Sequence, residues 1–202
     1  MSNSPASSSI GKPKPMNLIA AVDAKFAIGK NNDLPWRLPK EYAHFVRETK
    51  RTSDPRRINA VIMGRRCWES IPAKFRPLRD RISVILSRTL SPVIDTEQNI
   101  VIVQELDEAL DILTRNPAFA DKLETIWNAG GAEIYRMGLT HPWTHKLILT
   151  RIEAEFDADV FFPPIPWDEY EENEDFKPLE RVEEKGIQWY VTSFTRKNTM
   201  FF

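Results

Sequence analysis

One acidic residue, Glu41, stands beside an apolar stripe on a segment with helical spacing. The stripe repeats at i, i+4, i+7 and i+11, which is one face of a helix, and consists of Leu38, Tyr42, Phe45 and Thr49. Glu41 falls about 60° from the middle of this stripe, so its carboxylate either reaches water at the flank or faces an apolar cleft. In a cleft it would hydrogen-bond an amidine-like or 2-amino heterocycle, each such bond contributing roughly 1.5–3 kcal/mol.

Three apolar runs are each followed by groups suited to binding an anion. These groups are Gly64, Arg65 and Arg66 after the first run, Ser87 and Arg88 after the second, and Gly130 and Gly131 after the third. Guanidinium groups and free N–H groups at a helix start attract phosphate, and paired glycines let the backbone approach a ligand closely. Taken alone, each group is more simply a turn glycine with solvated arginines. Three in one sheet favour a dinucleotide, and arginines with Ser87 suit a 2′-phosphate, hence NADP(H), although the pattern is not GxGxxG.

Two loops are candidates for covering a ligand. Residues 23–36 contain Gly29 and end on Pro35 and Trp36, which indicates a lid between the first strand and the first helix. Residues 71–81 are rich in proline and arginine and end on Arg81, which opens a strand. Arg81 would bind a substrate carboxylate or form a surface salt bridge.

The elements that position these residues are short buried strands alternating with helices. Strands are predicted at 18–22, 60–63, 82–86, 100–103 and 125–129, and helices at 39–49, 106–114 and 132–137. Strands at 147–153 and 187–195 are separated only by an acidic loop, 163–180, so they are expected to pair antiparallel at one edge. The fold class predicted is a single α/β domain with a mixed sheet.

Composition narrows the function classes. The chain has 202 residues, 42% of them hydrophobic, and a net charge of −1, which fits one globular domain and argues against a general nucleic-acid binder. The single cysteine excludes an intramolecular disulfide framework, and the three histidines form no metal-ligand pattern. No apolar run approaches the ~20 residues that span a bilayer.

The chain termini and the assembly carry further expectations. Residues 1–15 are Ser/Pro-rich without the apolar core of a secretory signal, so they are expected to be a disordered extension before a domain at 16–202. The expected location is the cytosol. Without an obvious repeat or heptad pattern, a monomer is expected.

A set of motifs in order along the chain resembles dihydrofolate reductase of the eukaryotic type. The motifs are LPW at 34–36 with Glu41 five residues later, VIMGRRCWESIP at 61–72, FRPLRDR at 75–81, ISVILSR at 82–88, IWNAGGAEIY at 126–135, DADVFFP at 157–163 and EEKGIQWY at 183–190. The resemblance covers about residues 16–197. It implies a mostly parallel eight-stranded mixed sheet flanked by helices, and NADPH-dependent reduction of 7,8-dihydrofolate to tetrahydrofolate for one-carbon metabolism. Antifolate inhibitors are further ligands that it implies.

The resemblance also assigns site residues. Glu41 would hold the pterin 2-amino group and N3 and support protonation at N5, with Trp36 linked to it through water and Thr150 orienting it. The implied substrate pocket consists of Ile19, Ala20, Leu34, Tyr42, Phe45, Ile71, Phe75, Leu78, Ala129 and Tyr135, with Arg81 pairing with the glutamate α-carboxylate. The implied cofactor residues are Ala21, Ile28, Gly29, Gly64, Arg65, Arg66, Cys67, Leu86, Ser87, Arg88, Gly130, Gly131, Ala132, Glu133 and Ile134. Tyr135 would also approach the nicotinamide, and a cis peptide is expected between the paired glycines.

The chain departs from the family pattern at several positions. Cys67 replaces the usual Thr, which predicts weaker NADPH binding, and a helix start with two arginines would make its thiol reactive. Tyr42 and Asn128 are more polar than the usual residues, and Gln104 with Glu105 replaces a more basic segment near the adenine.

Two alternatives stay open at the level of sequence. One is an NADPH reductase of the riboflavin-pathway type, against which the pairing of Glu41 with Arg81 argues. The other is a non-catalytic folate- or NADPH-binding homologue, which would bind both ligands without turnover.

Overall fold

The apolar runs form a sheet whose central strands lie parallel. A computed structural model describes residues 13–173 and 181–197. Four of the five predicted runs fall within strands, the run at 125–129 extends one residue past its strand, and helices occupy the three stretches that were predicted to be helical. Runs of this length are buried on both faces, which is why they read as continuous apolar segments rather than as alternating ones.

The described part of the chain contains twelve strands and five α-helices. The strands are β1 (Met16–Val22), β2 (Ala27–Gly29), β3 (Ile58–Gly64), β4 (Arg81–Leu86), β5 (Val93–Asp95), β6 (Ile100–Val103), β7 (Leu123–Asn128), β8 (Thr144–Ile152), β9 (Val160–Phe161), β10 (Tyr170–Glu172), β11 (Val182–Glu184) and β12 (Ile187–Arg196). The helices are α1 (Pro39–Lys50), α2 (Arg65–Ser70), α3 (Leu106–Arg115), α4 (Pro117–Ala120) and α5 (Ala132–Thr140).

The main sheet runs in the order β10-β12-β8-β1-β7-β3-β4-β6-β5, with β11 also paired to β12. The pairs from β8 through β6 are parallel, whereas β12 pairs antiparallel with β8 and β5 antiparallel with β6. This is the mixed sheet with an antiparallel C-terminal edge that the sequence predicts. Within the described ranges the sheet has ten strands rather than eight, because β10 and β11 add three-residue pairs along β12. Strands β2 and β9 form a separate small ribbon.

Alternate residues of each central strand pack on opposite faces of the sheet. On β1, Leu18 belongs to a cluster with α5, whereas Ile19 belongs to a cluster on the face covered by α1. On β7, Ile126 faces α3 and Trp127 faces the α1 side. The α1 face therefore carries a mixture of packed side chains and an open cleft, while the α3–α5 face is a closed core.

The extension predicted at 1–15 falls mostly outside the described residues, but its last three residues are placed. The Lys14 ammonium donates to the carbonyl of Leu123 at 3.2 Å, and Pro15 accepts from the Ile126 N–H at 3.2 Å. Pro15 thus continues the pairing of β1 with β7 beyond Met16. In the loop predicted at 163–180, residues 174–180 lie outside the described ranges, and the remainder contains β10 and a 3₁₀ turn at Trp167–Glu169.

Two features are absent from the described ranges. No helix there is both long and apolar enough to cross a bilayer. No group of three or more His, Cys, Asp or Glu side chains is placed there to hold a metal ion.

Candidate active site

A cleft of about 1930 Å³ opens on the α1 face of the sheet, between the loop that follows β2 and the ends of the parallel strands. Ligands in open α/β sheets bind at this edge, beyond the carboxyl ends of the strands. The predicted site residues that line the cleft are Ile28, Gly29, Leu34, Trp36, Tyr42, Gly64, Arg65, Arg66, Cys67, Ile71, Phe75, Leu86, Ser87, Arg88, Gly131, Ala132, Glu133 and Ile134. Residues far apart in the sequence are thus brought together around a single opening.

The other predicted residues do not line this cleft. They are Glu41, Thr150, Ile19, Ala20, Ala21, Phe45, Leu78, Arg81, Ala129, Gly130 and Tyr135. Ile19, Leu78 and Trp36 belong to one apolar cluster, against which Ala21, Phe45, Ile71 and Ala129 pack. The structure therefore places these side chains on the same face of the sheet as the cleft.

Two substrate-pocket residues lie on the opposite side of the sheet. Ala20 and Tyr135 pack in the cluster that includes Leu18 and Leu139. Neighbours on a strand point to opposite faces, so Ala20 cannot share a side-chain wall with Ile19. The Tyr135 hydroxyl donates to the Ile19 carbonyl at 2.8 Å, which ties α5 to β1.

Glu41 is a buried acid in the first turn of α1. Its residue surface is 4% exposed, and the Thr150 hydroxyl on β8 donates a hydrogen bond to the carboxylate. Burial raises the pKa of the Glu41 carboxyl from its ordinary value of 4.5 to about 7; the Thr150 hydrogen bond opposes this rise, and the Glu184 carboxylate adds to it. The acid therefore gains or loses a proton near neutral pH, which is the range useful for acid–base chemistry. Of the two placements that the sequence left open for Glu41, the structure rules out the water-exposed flank.

The predicted face of α1 is partly wrong. Tyr42 is 49% exposed at the cleft, whereas the buried residues of the helix are Glu41, His44 and Thr49. The helix turns polar residues toward the sheet because partners lie there: Thr150 on β8 bonds to Glu41, and Arg81 on β4 bonds to Thr49. Tyr42 faces the open cleft instead. Among the described atoms, the buried indole N–H of Trp36 bonds to no protein acceptor, which leaves a polar donor within this otherwise apolar region.

Arg81 is a buried cation, with 5% of its surface exposed. Its guanidinium donates to the Thr49 hydroxyl at 2.9 Å and to the Arg79 carbonyl at 3.1 Å, and it forms no ion pair with a carboxylate in the described ranges. Burial lowers the pKa of the guanidinium, and Tyr42 and Asp80 oppose this effect. A fixed guanidinium without an anionic partner is suited to an incoming carboxylate, so the surface salt bridge left open by the sequence is excluded.

The paired glycines form a turn between β7 and α5. The bond between Gly130 and Gly131 is cis, as the resemblance implied, and the Gly64 N–H donates to the Gly130 carbonyl at 2.7 Å. Gly130 has a φ of 87°, and a Cβ there would overlap the ring of Tyr135. The turn therefore requires glycine at this position on both conformational and steric grounds.

The side chain of Asn128 fixes this turn by hydrogen bonds. Its side-chain amide is fully buried, accepts from the Gly130 N–H at 3.1 Å and donates to the Ile134 carbonyl at 2.7 Å. The greater polarity of this residue thus has a structural use. From the sequence, Asn128 could be recognised only as a departure from the family pattern. Its role depends on hydrogen-bond partners that come together only when the turn has formed.

The basic residues near this turn differ in their partners. Arg65 pairs with Glu69 at 3.2 Å, whereas Arg66 and Arg88 form no ion pair within the described ranges. The Ser87 hydroxyl accepts from the N–H groups of Thr89 and Leu90. Two uncompensated guanidinium groups at one end of the cleft fit an anionic group such as a phosphate.

Cys67 does not have the lowered pKa expected from its place near two arginines. Burial raises the pKa of the thiol, and the hydrogen bond with the Gly131 backbone opposes that rise only in part. The expectation of a reactive thiol is therefore wrong, because desolvation destabilises the thiolate by more than the backbone hydrogen bond and the nearby arginines stabilise it.

Several residues of the cleft were not predicted. Asp33, Arg37, Arg136, Met137 and Asp159 line it, and Glu184 lies behind Glu41. Gln104 and Glu105, noted as departures, also line its far end. Asp159 lies in the DADVFFP motif and Glu184 in the EEKGIQWY motif. The motifs therefore pointed to both residues, but the residue types alone did not assign them to the site.

Comparisons with known proteins find similarity along most of the chain. The family model for dihydrofolate reductase matches residues 15–196. The dihydrofolate reductase of Heliothis virescens is 40% identical over 183 residues, which cover 90% of this chain and 97% of the relative. The dihydrofolate reductase of Bos taurus is 38% identical over 188 residues, covering 92% and 99%. The solved structure of Schistosoma mansoni dihydrofolate reductase has a TM-score of 0.77 at 31% identity and covers 92% of this chain and 100% of that chain.

Proposed function

The chain belongs to the dihydrofolate reductase family, and from this premise we propose that it reduces 7,8-dihydrofolate to tetrahydrofolate with NADPH. The observation that carries the proposal is Glu41, a buried carboxyl with a pKa of about 7 on the cleft face of the sheet. A neutral pterin with adjacent amino and ring N–H groups matches such an acid, since both N–H groups can donate to one carboxylate.

Glu41 has two tasks in the proposed reaction. It binds the pterin 2-amino group and N3, and it exchanges a proton with water on the way to N5. Thr150 fixes the orientation of the carboxyl group, and Trp36 would donate its indole N–H to water in the same relay. The reaction requires no nucleophilic side chain, because the substrate receives a hydride at C6 and a proton at N5.

The substrate tail has a matching partner. Arg81 is proposed to bind the glutamate α-carboxylate, since its buried guanidinium has no described carboxylate of its own. Tyr42, Phe75 and Leu34 are exposed at the cleft, where they would cover the pterin and the aminobenzoyl ring.

The cofactor side of the cleft fits NADPH. When bound, NADPH supplies the hydride. The Gly130–Gly131 turn would hold its diphosphate, while Arg66, Arg88 and Ser87 would hold the adenosine phosphate. The remaining proposed contacts come from Ala21, Ile28, Gly29, Gly64, Arg65, Cys67, Leu86, Ala132, Glu133 and Ile134. The loop carrying Trp36 would exclude water from the two rings.

Oxidation of NADPH by purified protein tests the proposal. We expect dihydrofolate-dependent loss of NADPH absorbance, much slower loss with NADH, and little activity in Glu41→Ala. Binding of both ligands without turnover would instead identify a non-catalytic homologue. Turnover of a ribosylamino-pyrimidine in preference to dihydrofolate would identify a reductase of the riboflavin-pathway type.

The proposal extends to the setting of the enzyme. A monomer in the cytosol that binds antifolates at the Glu41 end of the cleft is the expected form. Sedimentation of the purified protein would test the monomer, and displacement of dihydrofolate by an antifolate would test the shared site.

A further inference from the structure

The N-terminus of α1 is capped by a side chain from the other end of the chain. Glu184 on β11 accepts from the Lys40 N–H at 2.9 and 3.1 Å through its two oxygens, and Oε2 lies 3.4 Å from the Glu41 nitrogen that donates to it. The N-cap residue itself, Leu38, makes no side-chain cap. A carboxylate 143 residues distant therefore supplies what a local Ser or Asp usually supplies.

The hairpin that carries Glu184 is fixed to the same segment by two further contacts. The Lys40 ammonium donates to the Glu183 carbonyl at 3.3 Å, and the Lys185 ammonium donates to the Arg37 carbonyl at 2.8 Å. Lys185 and Gly186 form the tight turn between β11 and β12, both with positive φ. The hairpin thus holds the start of α1 at three points.

Glu184 forms no ion pair with a cation in the described ranges. The residue is 7% exposed, and both neighbouring lysines bond to carbonyl oxygens rather than to its carboxylate. Its only described hydrogen-bond donors are the backbone N–H groups of Lys40 and Glu41. Backbone N–H groups neutralise only part of the charge of such a buried carboxylate, so the charge still acts on nearby ionisable groups.

Glu41 lies within that field. A helix N-terminus normally favours a carboxylate in the first turn, and this effect would keep Glu41 ionised. Glu184 occupies the N–H groups that produce the effect and adds a like charge. Tyr135 on α5 also interacts electrostatically with Glu41, and Lys40 and Lys185 carry the positive charges at this end of the helix. Glu184 is the charged group that raises the pKa of Glu41.

We propose that Glu184 is a positioning residue for the reaction, which caps α1 from the C-terminal hairpin, orients Glu41 and disfavours its ionised form. Its part in catalysis rests on the proposed reduction of dihydrofolate, whereas its effect on Glu41 does not. The C-terminal strands thereby contribute to the proton chemistry of a site built almost wholly from the first three quarters of the chain.

Carbon-13 NMR of labelled glutamate carboxyls tests the effect in the ligand-free protein. The Glu41 signal is identified by its loss in Glu41→Gln. Glu184→Gln keeps an oxygen that accepts from Lys40 and Glu41 but removes the charge, so the pKa of Glu41 should fall by about 0.5 unit or more. Glu183→Gln, at the exposed neighbour on β11, is the matched control and should leave that pKa unchanged.

A second variant and a kinetic readout complete the test. Glu184→Met removes both the charge and the acceptor, so the pKa of Glu41 should also fall in this variant. It replaces Glu184→Gln in the test if Glu184→Gln does not fold. The pH midpoint of single-turnover hydride transfer should move with the NMR value. An unmoved pKa in a folded Glu184 variant, or an equal shift in Glu183→Gln, would overturn the proposal. A shifted NMR pKa without dihydrofolate turnover would refute the proposed function but not the effect of Glu184.

Discussion

Glu41 is held where its charge is disfavoured, and this has a cost in stability. The carboxyl ionises near pH 4.5 in the unfolded chain and near pH 7 in the folded protein. Between these values the folded protein binds more protons, so the free energy of unfolding decreases as the pH rises through this window. The loss of stability is therefore absent below the lower value and complete above the higher one.

Glu41→Gln should remove this dependence. The stability of the variant relative to the wild type should be about 3 kcal/mol greater at about pH 8.5 than at about pH 4, which is the pKa difference expressed as free energy. Chemical denaturation at both pH values measures the gain. Glu69→Gln, at an exposed carboxylate, is the charge-matched control. A difference between Glu41→Gln and wild type that stays constant with pH would show that the acid is not desolvated.

Cys67 predicts a modest defect in cofactor binding. The thiol is a weaker hydrogen-bonding group than a hydroxyl and is already engaged with the Gly131 backbone at the cofactor turn. Cys67→Thr should tighten NADPH binding by up to roughly tenfold, which corresponds to one ordinary hydrogen bond. Titration calorimetry with NADPH measures the change, and dihydrofolate binding serves as the internal control. Equal cofactor Kd values in the two proteins would contradict the prediction.

At the scale of elements, α5 and β7 are fitted to each other at one residue. A Cβ built on Gly138 would overlap the amide nitrogen of Asn128, the residue that holds the Gly130–Gly131 turn. The absence of a side chain at Gly138 therefore leaves room for Asn128. The two residues lie ten positions apart and depend on each other.

Gly138→Ala should displace Asn128 and loosen the cofactor turn. We expect a loss of about 1–3 kcal/mol in stability, as for other overpacked sites, and weaker NADPH binding with dihydrofolate binding retained. Thr140→Ala, at the exposed end of the same helix, is the control. The double variant Asn128→Ala, Gly138→Ala should recover part of the stability. No effect of Gly138→Ala on either stability or NADPH binding would contradict the fit.

The elements also show why some features could be predicted from sequence and others could not. Strands such as 82–86 are continuous apolar runs, so burial on both faces identifies them without knowledge of their neighbours. The face of α1 could not be read from periodicity, because Tyr42 lines an open cleft while Glu41 finds Thr150 on β8. The role of Glu184 depends on a contact across 143 residues, which no local pattern contains.

Across the whole molecule, the loop over the cleft is fastened by the acidic segment that leads into β9. The Asn31 N–H donates to Asp159 at 3.0 Å, and β2 pairs with β9. Asp23, at the base of the loop, accepts from the Phe156 N–H at 2.9 Å. A segment from the last third of the chain thus sets the position of a loop from the first third.

Asp159→Ala should weaken this fastening. Turnover should decrease about threefold or more, because closing the cleft would cost additional ordering of the loop. Asp157→Ala is the matched control: it removes an exposed pair with Lys30 from the same segment and should leave turnover unchanged. Steady-state kinetics and thermal unfolding of both variants check this. Equal effects of the two variants would mean that only the charge of the segment matters.

Transfer of a labelled hydride tests the central claim most directly. NADPH that carries deuterium at the reactive C4 position is incubated with the protein and 7,8-dihydrofolate, and the product is analysed by mass spectrometry and NMR. We expect tetrahydrofolate with one deuterium at C6, formed by the wild type and at a greatly reduced rate by Glu41→Ala. Product without the label, or equal rates in the two proteins, would contradict hydride transfer at the site that contains Glu41.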